Sequence, residues 1–300
     1  MSSSSANLQP SLLATRNSTD MKKLFLLAIL VSVFSSVMAG GGWTYVKGKG
    51  FVKLSQNAIY SDQLFNPDGE IIDITTIGYY ATAVYGEYGL TDELTAIAYV
   101  PFFTRNTLNK TRFRFSGMEI PGDELNSVGD IDLSLQYGFY KSDTWVASVR
   151  VLFGLPTGEV SGGETGILQS GDGEFNQMIR FDLSRPISQN AWVSVYAGLN
   201  NRTNDFSDEY RLGAEVGSRF GNHFLAIAKV DVVQSFFNGD ADSSQGGTIF
   251  SNNTEFISPS LELAYEMENE IGFSLSAAGA FAGKNILASP NYGVGVYKKF

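Results

Sequence analysis

Ionisable residues recur at every second position in several otherwise apolar stretches of this 300-residue chain. Arg180 and Asp182 alternate with Ile179, Phe181 and Leu183. A β-strand turns successive side chains to opposite faces, so such a stretch separates charged from apolar residues. Charges of both signs on one face can line a path for ions and small solutes, or pair with one another as structural filler. The candidates for this lumen-lining role are Lys47, Lys49, Lys53, Asp130, Asp132, Arg150, Arg180, Asp182, Arg211, Glu215, Arg219, Lys229, Asp231, Glu262 and Glu266.

Ion pairs between neighbouring strands are expected among these residues. Opposite charges on adjacent strands attract one another, and guanidinium–carboxylate pairs are the strongest of them. The predicted basic partners are Arg150, Arg180 and Arg211, and the predicted acidic partners are Asp132, Asp182 and Glu215.

Catalytic residues are scarce in this sequence. The only histidine, His223, follows Gly221 and Asn222 in a predicted turn. A Ser–His pair would need a serine at that position, and the chain contains no G-x-S-x-G motif. Without cysteine, a single histidine does not make a zinc site. The acidic segments 171–174 and 238–242 lack the spacing of a complete calcium loop. We therefore expect no enzyme, no metal and no cofactor.

The start of the chain has the anatomy of an export signal. Residues 21–39 read MKKLFLLAILVSVFSSVMA, with two lysines, an apolar run and small residues before a cleavage point after Ala39. The run is too short for a comfortable transmembrane helix. Residues 1–20 are polar and serine-rich, so we interpret them as a non-native or unstructured extension, the alternative being an extended n-region. The mature chain would begin at Gly40.

Net charge excludes one class of partner. The formal charge is −10 at pH 7, and phosphate binding requires a basic patch. Nucleic acid is therefore not an expected partner.

The alternation of apolar and polar residues recurs in twelve segments. Short connections alternate with longer ones, which is typical of membrane barrels with turns on one side and loops on the other. The pattern predicts an all-β fold: a transmembrane antiparallel up-and-down β-barrel of about twelve strands over residues 40–300, with both termini in the periplasm. The predicted strands are 45–60, 75–89, 93–105, 128–141, 145–156, 174–184, 191–201, 209–220, 223–236, 255–266, 270–282 and 290–300.

Four aromatic residues lie near predicted strand ends. Amphipathic rings concentrate at the membrane–water interface. Trp43, Trp145, Trp192 and Phe300 are therefore predicted to be membrane-interface aromatics.

Several motifs resemble a known family. The segments are YGEYGLTDELT at 85–95, VGDIDL at 128–133, GLPTG at 154–158 and GDG at 171–173. Their order is similar to that in the outer-membrane β-barrel family named for the meta-pathway of phenol degradation. The resemblance implies a transporter or channel, associated in some members with aromatic compounds. Because the first strand is predicted to start soon after Gly40, there is no room for an N-terminal hatch of some tens of residues.

Three functional hypotheses follow. The leading one is passive transport of small molecules, aromatic and other small organic compounds among them, through a mixed-charge lumen with loops 106–127, 157–173 and 237–254 over its mouth. The first alternative is a non-conducting surface barrel that acts through those loops. The third is a lipid-modifying enzyme that uses His223. The expected location is the outer membrane of a Gram-negative bacterium. The expected partners are outer-membrane lipid, an unidentified small solute and the barrel-assembly machinery, which would bind the strand ending at Phe300.

Overall fold

The structure, a computed structural model, describes residues 41–112, 117–240 and 250–300. The predicted extension at 1–20 and the predicted signal peptide at 21–39 lie outside these residues. The described part contains no helix that is long and apolar enough to span a membrane.

Within these described ranges, twelve long strands form the barrel wall and five short strands accompany them. The long strands are β1 (Gly50–Phe65), β2 (Ile71–Gly89), β3 (Leu94–Leu108), β7 (Ile131–Lys141), β8 (Val146–Leu155), β9 (Asn176–Pro186), β10 (Ala191–Arg202), β11 (Glu209–Phe220), β12 (Phe224–Ser235), β13 (Glu255–Glu266), β14 (Ile271–Ala278) and β17 (Asn291–Lys299). The short strands are β4 (Thr111–Arg112), β5 (Glu119–Ile120), β6 (Asp123–Ser127), β15 (Ala282–Lys284) and β16 (Ile286–Leu287).

The long strands form a closed antiparallel ring. Neighbours in the ring follow the order β1, β2, β3, β7, β8, β9, β10, β11, β12, β13, β14 and β17, and β17 pairs with β1. Val52 is paired with Lys298, and Phe224 is paired with Tyr265. Closure leaves no free edge, so the strands satisfy one another's backbone groups as a membrane interior requires. The predicted twelve-stranded barrel is confirmed.

The two faces of the barrel wall carry opposite chemistry. Leu135, Phe181 and Leu275 are exposed on the outside, as are most large apolar residues of the strands. Gln136 and Asp182 are at most 3% exposed because they lie on the inside. This reversal of a soluble protein's core and surface suits a wall between lipid and a polar lumen.

The two ends of the barrel differ in their connections. The end that we name the turn end carries the short connections 90–93, 142–145, 187–190, 221–223 and 267–270. Gly50 and Phe300 exchange backbone hydrogen bonds there, so the first and last strands meet at this end. The opposite end, the loop end, carries the longer connections 109–130, 156–175, 236–254 and 279–290. The interval 61–74 between the first two predicted strands is instead strand on both sides of the turn 66–70.

The first strand begins later than predicted, at Gly50 rather than at residue 45. A turn interrupts the extended chain, because the Lys49 N–H donates to the Val46 carbonyl at 3.0 Å and Gly48 has a φ of 77°. A positive φ favours glycine and ends the regular strand. Residues 41–49, which we name the lumen segment, therefore lie outside the ladder.

Candidate functional site

The charged wall of the lumen is built by the inward faces of β8 to β12. Arg180 forms a fork with Asp182 two residues further along β9, with Nε at 2.9 and 3.1 Å from the two carboxylate oxygens. The Arg180 guanidinium also lies 3.7 Å from the centroid of the Tyr196 ring. The Tyr196 hydroxyl donates to Asp231 at 2.5 Å. Charged, aromatic and hydroxyl groups therefore form one connected network.

A second network lies nearer the turn end. The indole N–H of Trp192 donates to Glu215 Oε1 at 2.7 Å, and Lys229 Nζ lies 3.0 Å from Glu215 Oε2. Both oxygens of Glu215 are thus occupied. The predicted partner of Glu215 was an arginine on a neighbouring strand; the partner in the structure is Lys229.

Among the described residues, Arg150 pairs with no carboxylate. Its Nε donates to Gln136 Oε1 at 3.1 Å, and Gln136 is 2% exposed. Arg150 lies directly across from Arg180, so the amide of Gln136 and the carboxylate of Asp182 compensate two adjacent guanidinium groups. The predicted pairing of Arg150 with a carboxylate on a neighbouring strand is therefore not found in the described structure, where Asp132 lies opposite Tyr99 and Gly154.

The opposite side of the lumen is lined by small residues. Lys53 Nζ reaches Glu262 Oε1 at 2.7 Å, although β1 and β13 are separated by β14 and β17. The lysine passes over Gly295, where an added Cβ would lie 2.6 Å from Lys53 Cε. We name this side the small-residue wall; it comprises Ser258, Ser260, Ser274, Ser276, Gly293 and Gly295.

A cluster of charges closes the lower part of the lumen at the turn end. Glu266 receives Arg219 Nη1 at 3.3 Å, Lys299 Nζ at 2.5 Å and the Tyr297 hydroxyl at 3.2 Å. The Tyr85 hydroxyl donates to Glu87 on β2, which sequence reasoning did not single out. Lys299 was also missed, although the alternation of β17 places it on the inward face.

Two predicted lumen residues lie elsewhere. Lys47 and Lys49 are exposed in the turn before β1, so they do not line the wall. The prediction extended the alternation of β1 backwards through a segment that is not a strand.

The lumen segment lies against the inner wall near the turn end. The Gly42 N–H donates to Ser184 Oγ at 2.8 Å, and the carbonyl of Gly41 accepts from Gln136 Nε2 at 2.8 Å. Further along, the Tyr45 N–H donates to Thr95 Oγ1 at 2.9 Å. These partners belong to β9, β7 and β3, which together with β8 are four successive strands of the ring, so the segment follows one side of the wall. It has no periodicity that could have revealed it.

A small polar cavity lies beside the start of this segment. Its volume is about 130 Å³. Its polar lining comprises Gly41, Arg180, Asp182, Ser194, Tyr196, Glu215, Lys229 and Asp231. Three carboxylates and two basic groups face one another there, and Lys229 interacts electrostatically with both Glu215 and Asp231.

Arg202 organises the loop end. Its guanidinium lies 2.5 Å from Glu174, 2.9 Å from Glu209 and 3.1 Å from Asp172. Glu209 also receives Arg211 at 2.7 Å, in place of the predicted pair between Arg211 and a carboxylate on a neighbouring strand. These contacts tie the connection 156–175 to β10 and β11. Sequence reasoning missed Arg202 because the predicted strand ended at residue 201, whereas β10 continues to Arg202 on the same inward face as Tyr196 and Asn200.

Asp130, which directly precedes β7, holds the connection 156–175 through hydrogen bonds. Its two carboxylate oxygens accept the N–H groups of Gly158 and Asp172 at 2.8 and 3.0 Å. Burial, to which the charge of Asp172 adds, raises the pKa of Asp130 to about 6 despite these hydrogen bonds. Asp130 is thus a loop anchor just before β7 rather than a residue of the strand.

Loops also cover part of the loop-end mouth. Phe250 packs against Tyr79 of β2, with ring centroids 6.0 Å apart. The nearby Asn252 amide oxygen accepts the Ser207 N–H at 2.9 Å. Residues of the 236–254 connection therefore reach across from β12 to the opposite side of the ring.

The predicted interface aromatics divide into two groups. Trp145 and Phe300 are 38% and 44% exposed near the turn end, and Phe300 stacks on Tyr88. Trp192 is instead 2% exposed on the inward face, and Trp43 belongs to the lumen segment. The prediction for these two tryptophans is corrected: residue type and proximity to a strand end do not determine the face.

At the turn end, the His223 side chain contacts two residues of β13. Its Nδ1 lies 2.8 Å from the Glu266 carbonyl, and its ring is 5.5 Å from that of Tyr265. Among the described residues, no group of three or more histidine, aspartate or glutamate side chains could hold a metal ion.

Comparisons with known proteins identify the fold. No known family matches the sequence, and no curated protein matches it. An outer membrane channel from Pseudomonas putida F1 is similar in structure, with a TM-score of 0.60, 12% identity, and 88% of this chain and 100% of that chain covered. The NanC porin has a TM-score of 0.51 and 11% identity, with 83% of this chain and 100% of that chain covered.

The closed ring, the apolar outer face and the polar lumen define an outer-membrane-type β-barrel. The two solved structures share this porin-like and channel-like fold. The family named for the phenol meta-pathway remains a resemblance in the motifs.

Proposed function

We propose that the protein is an outer-membrane channel for passive transport of small molecules. The observation that carries this proposal is the division of the lumen into a charged wall and a small-residue wall. A barrel filled only for stability gains by packing bulky side chains inside. Serine and glycine on β13, β14 and β17 add no bulk of their own to the side that faces the network of Arg180, Tyr196 and Asp231, and only the Lys53–Glu262 pair is shown to cross this wall.

The charge distribution indicates which solutes the channel favours. Near the loop end, two guanidinium groups face five carboxylates: Arg202 and Arg211 against Asp130, Asp132, Asp172, Glu174 and Glu209. An excess of one sign at a narrow entrance attracts the opposite charge and repels its own. The proposed channel therefore prefers cations and neutral solutes to anions. Aromatic and other small organic compounds are candidate solutes because of the family resemblance.

The location and the partners belong to the same proposal. The exposed apolar belt would contact outer-membrane lipid in a Gram-negative bacterium, with both termini on the periplasmic side. The final strand, which ends at Phe300, would be recognised by the barrel-assembly machinery.

The test is ion selectivity of the refolded mature chain, Gly40 to Phe300, in a planar bilayer under a KCl gradient. The expected result is steady conductance with a reversal potential that favours K⁺. Asp132→Asn should move the reversal potential towards zero, since it removes one lumen carboxylate. Preference for Cl⁻ would contradict the charge argument.

A second candidate function is that of a non-conducting surface barrel. It is favoured by the segments of this chain that cover parts of both ends of the barrel. The lumen segment occupies the turn end, and Phe250 with its loop covers part of the other. A correctly folded barrel without conductance would support this alternative.

A further inference from the structure

We propose that a groove in the outer wall of the barrel binds a membrane phospholipid, with an acyl chain on the floor of the groove and the phosphate at Lys49. The groove lies on the outer faces of β1, β2, β3, β7 and β8, and its volume is about 550 Å³. The inference rests on the proposed location in the outer membrane and does not depend on transport.

Small residues form the floor of the groove. Gly86 of β2 is paired with Ala98 of β3, and Ala96 lies on the same face of β3, nearer the turn end. A Cβ added to Gly86 would meet its nearest atom only at 3.7 Å, so there is open space above the floor. Three adjacent small side chains thus leave a depression in the wall.

Large apolar side chains form the two rims of the groove. Each of them is between 39% and 49% exposed, and they are Val52, Tyr88 and Phe300 on one side and Leu133, Leu135 and Phe153 on the other. Tyr88 and Phe300 stack with ring centroids 6.3 Å apart and close the groove at the turn end. A hydrocarbon chain suits this apolar lining, whereas a polar group would lose its hydration there without a partner.

Basic residues lie where the groove reaches the turn end. Lys49 directly precedes Gly50, which is paired with Tyr88 and bonded to the backbone of Phe300. Lys47 lies two residues earlier, and both lysines are exposed. The nearby carboxylate of Asp92 accepts the backbone N–H of Lys47 at 3.0 Å. The two ammonium groups can therefore bind an anion from the membrane surface.

Lys298 adds a third positive charge beside the groove. It is paired with Val52, and its ammonium group bonds the carbonyl of Asn269 and lies 3.8 Å from Glu270. A lysine on the lipid-facing side reaches the interfacial water in this way. Although the whole chain carries a net charge of −10, this end of the groove is thus lined with lysines.

The combination favours a phospholipid over a second copy of the chain. A phospholipid joins a phosphate to hydrocarbon chains, which matches lysines at the end of an apolar groove. A second copy related by a two-fold axis would have its turn end at the same depth, so the same lysines would face one another and repel. Since the turn end is the periplasmic side in the proposed orientation, the lipid would come from the periplasmic leaflet.

The test is lipid binding by the folded barrel in a mild detergent, measured by native mass spectrometry. The probes are phosphatidylglycerol and a diacylglycerol with the same chains, which lacks the phosphate. The delipidated barrel should bind phosphatidylglycerol about tenfold more tightly than diacylglycerol, because the lysines attract the phosphate. Lys49→Gln should lose most of this difference. Lys141→Gln is the matched control, since Lys141 ends β7 about 20 Å along the strand from Leu135, and it should keep the difference.

A second pair of variants tests the groove itself. Ala98→Leu fills the floor and should weaken the binding of both lipids. Ala197→Leu adds the same side chain to the outer face of β10, between Phe181 and Leu212, and should bind both lipids as the parent does. Both variants should fold, because each adds an apolar group to an apolar outer face.

Three results would each overturn the proposal: no binding of phosphatidylglycerol by the folded parent, equal affinity for the two lipids, or unchanged binding in Ala98→Leu. A parent that forms dimers through the groove and excludes lipid would assign the groove to a second copy instead. Insertion of the parent into liposomes is measured separately. A chain that inserts but binds no phospholipid contradicts the site alone, whereas a chain that does not insert contradicts the proposed location.

Discussion

The indole of Trp192 lies directly over Gly217, its partner on β11. A Cβ added to this glycine would lie 2.0 Å from Trp192 Cζ2. Tyr196 has the same relation to Gly213, and Tyr297 has it to Gly272. The aromatic rings thus cover glycines on neighbouring strands and occupy the space that a side chain would take.

Gly217→Ala should therefore destabilise the barrel by about 1–3 kcal/mol, because the methyl group forces the buried indole and its hydrogen bond to Glu215 to move. The measurement is the temperature at which the folded band is lost in heat-modifiability gels. Gly86→Ala is the matched control, since its nearest neighbour would be 3.7 Å away. If Gly217→Ala and Gly86→Ala lost the folded band at the same temperature, the packing of the Trp192 indole would not depend on Gly217.

The outer face gives a second prediction. Val151 is 39% exposed on β8, with its side chain outside. Val151→Arg should cost about 2–4 kcal/mol if the residue lies near the membrane midplane. Assembly into membranes and heat-modifiability are the measurements, with Val151→Ala as the uncharged control. Normal assembly of the arginine variant would mean that this face does not contact lipid.

Arg202 gives a third prediction, at the loop end. Arg202→Ala leaves the carboxylates of Asp172, Glu174 and Glu209 without their shared partner and should cost about 3–5 kcal/mol. Protease cleavage within 156–175 should become faster, because these contacts fix that loop. Arg112→Ala serves as the control, since the Arg112 side chain is 73% exposed. An unchanged cleavage rate would contradict the anchoring role.

Asp130 gives a prediction on pH. Its pKa is raised to about 6 from an ordinary value near 3.8, so the folded state binds the proton more tightly than the unfolded state. This contribution to stability is present below about pH 4 and is lost as the pH rises through 6. The parent should therefore gain stability relative to Asp130→Asn on going from pH 8 to pH 5, by about 1 kcal/mol or less because solvent screens the site. Thermal unfolding in detergent measures the stability of the parent and of Asp130→Asn at each pH. A parent that gains stability relative to Asp130→Asn as the pH rises would contradict the assignment.

The sequence predicted the ring because alternation is local and regular. Arg180 and Asp182 could be assigned to the inside since their neighbours Ile179, Phe181 and Leu183 are apolar. Ion-pair partners could not be predicted, because they depend on register and side-chain reach. The Lys53 side chain reaches past two strands to form an ion pair with Glu262, and Arg150 donates to the amide oxygen of Gln136.

The positions of irregular segments could not be predicted from the sequence either. The lumen segment has no period, and its position depends on hydrogen bonds to residues up to 142 positions away, such as Gly42 to Ser184. Trp192 was assigned to the membrane interface from its residue type. Its place inside follows from Gly217, which makes room for the ring.

Single-channel conductance of a lumen-blocking variant tests the central claim most directly. Ser276 lies on the small-residue wall, and Leu275 beside it is 63% exposed on the outside. The account predicts steady conductance for the mature chain, a loss of at least about half of it in Ser276→Phe as the ring fills the open side, and no change in Leu275→Phe. A folded, silent parent, or equal conductance in Ser276→Phe, would contradict a solute path along this wall.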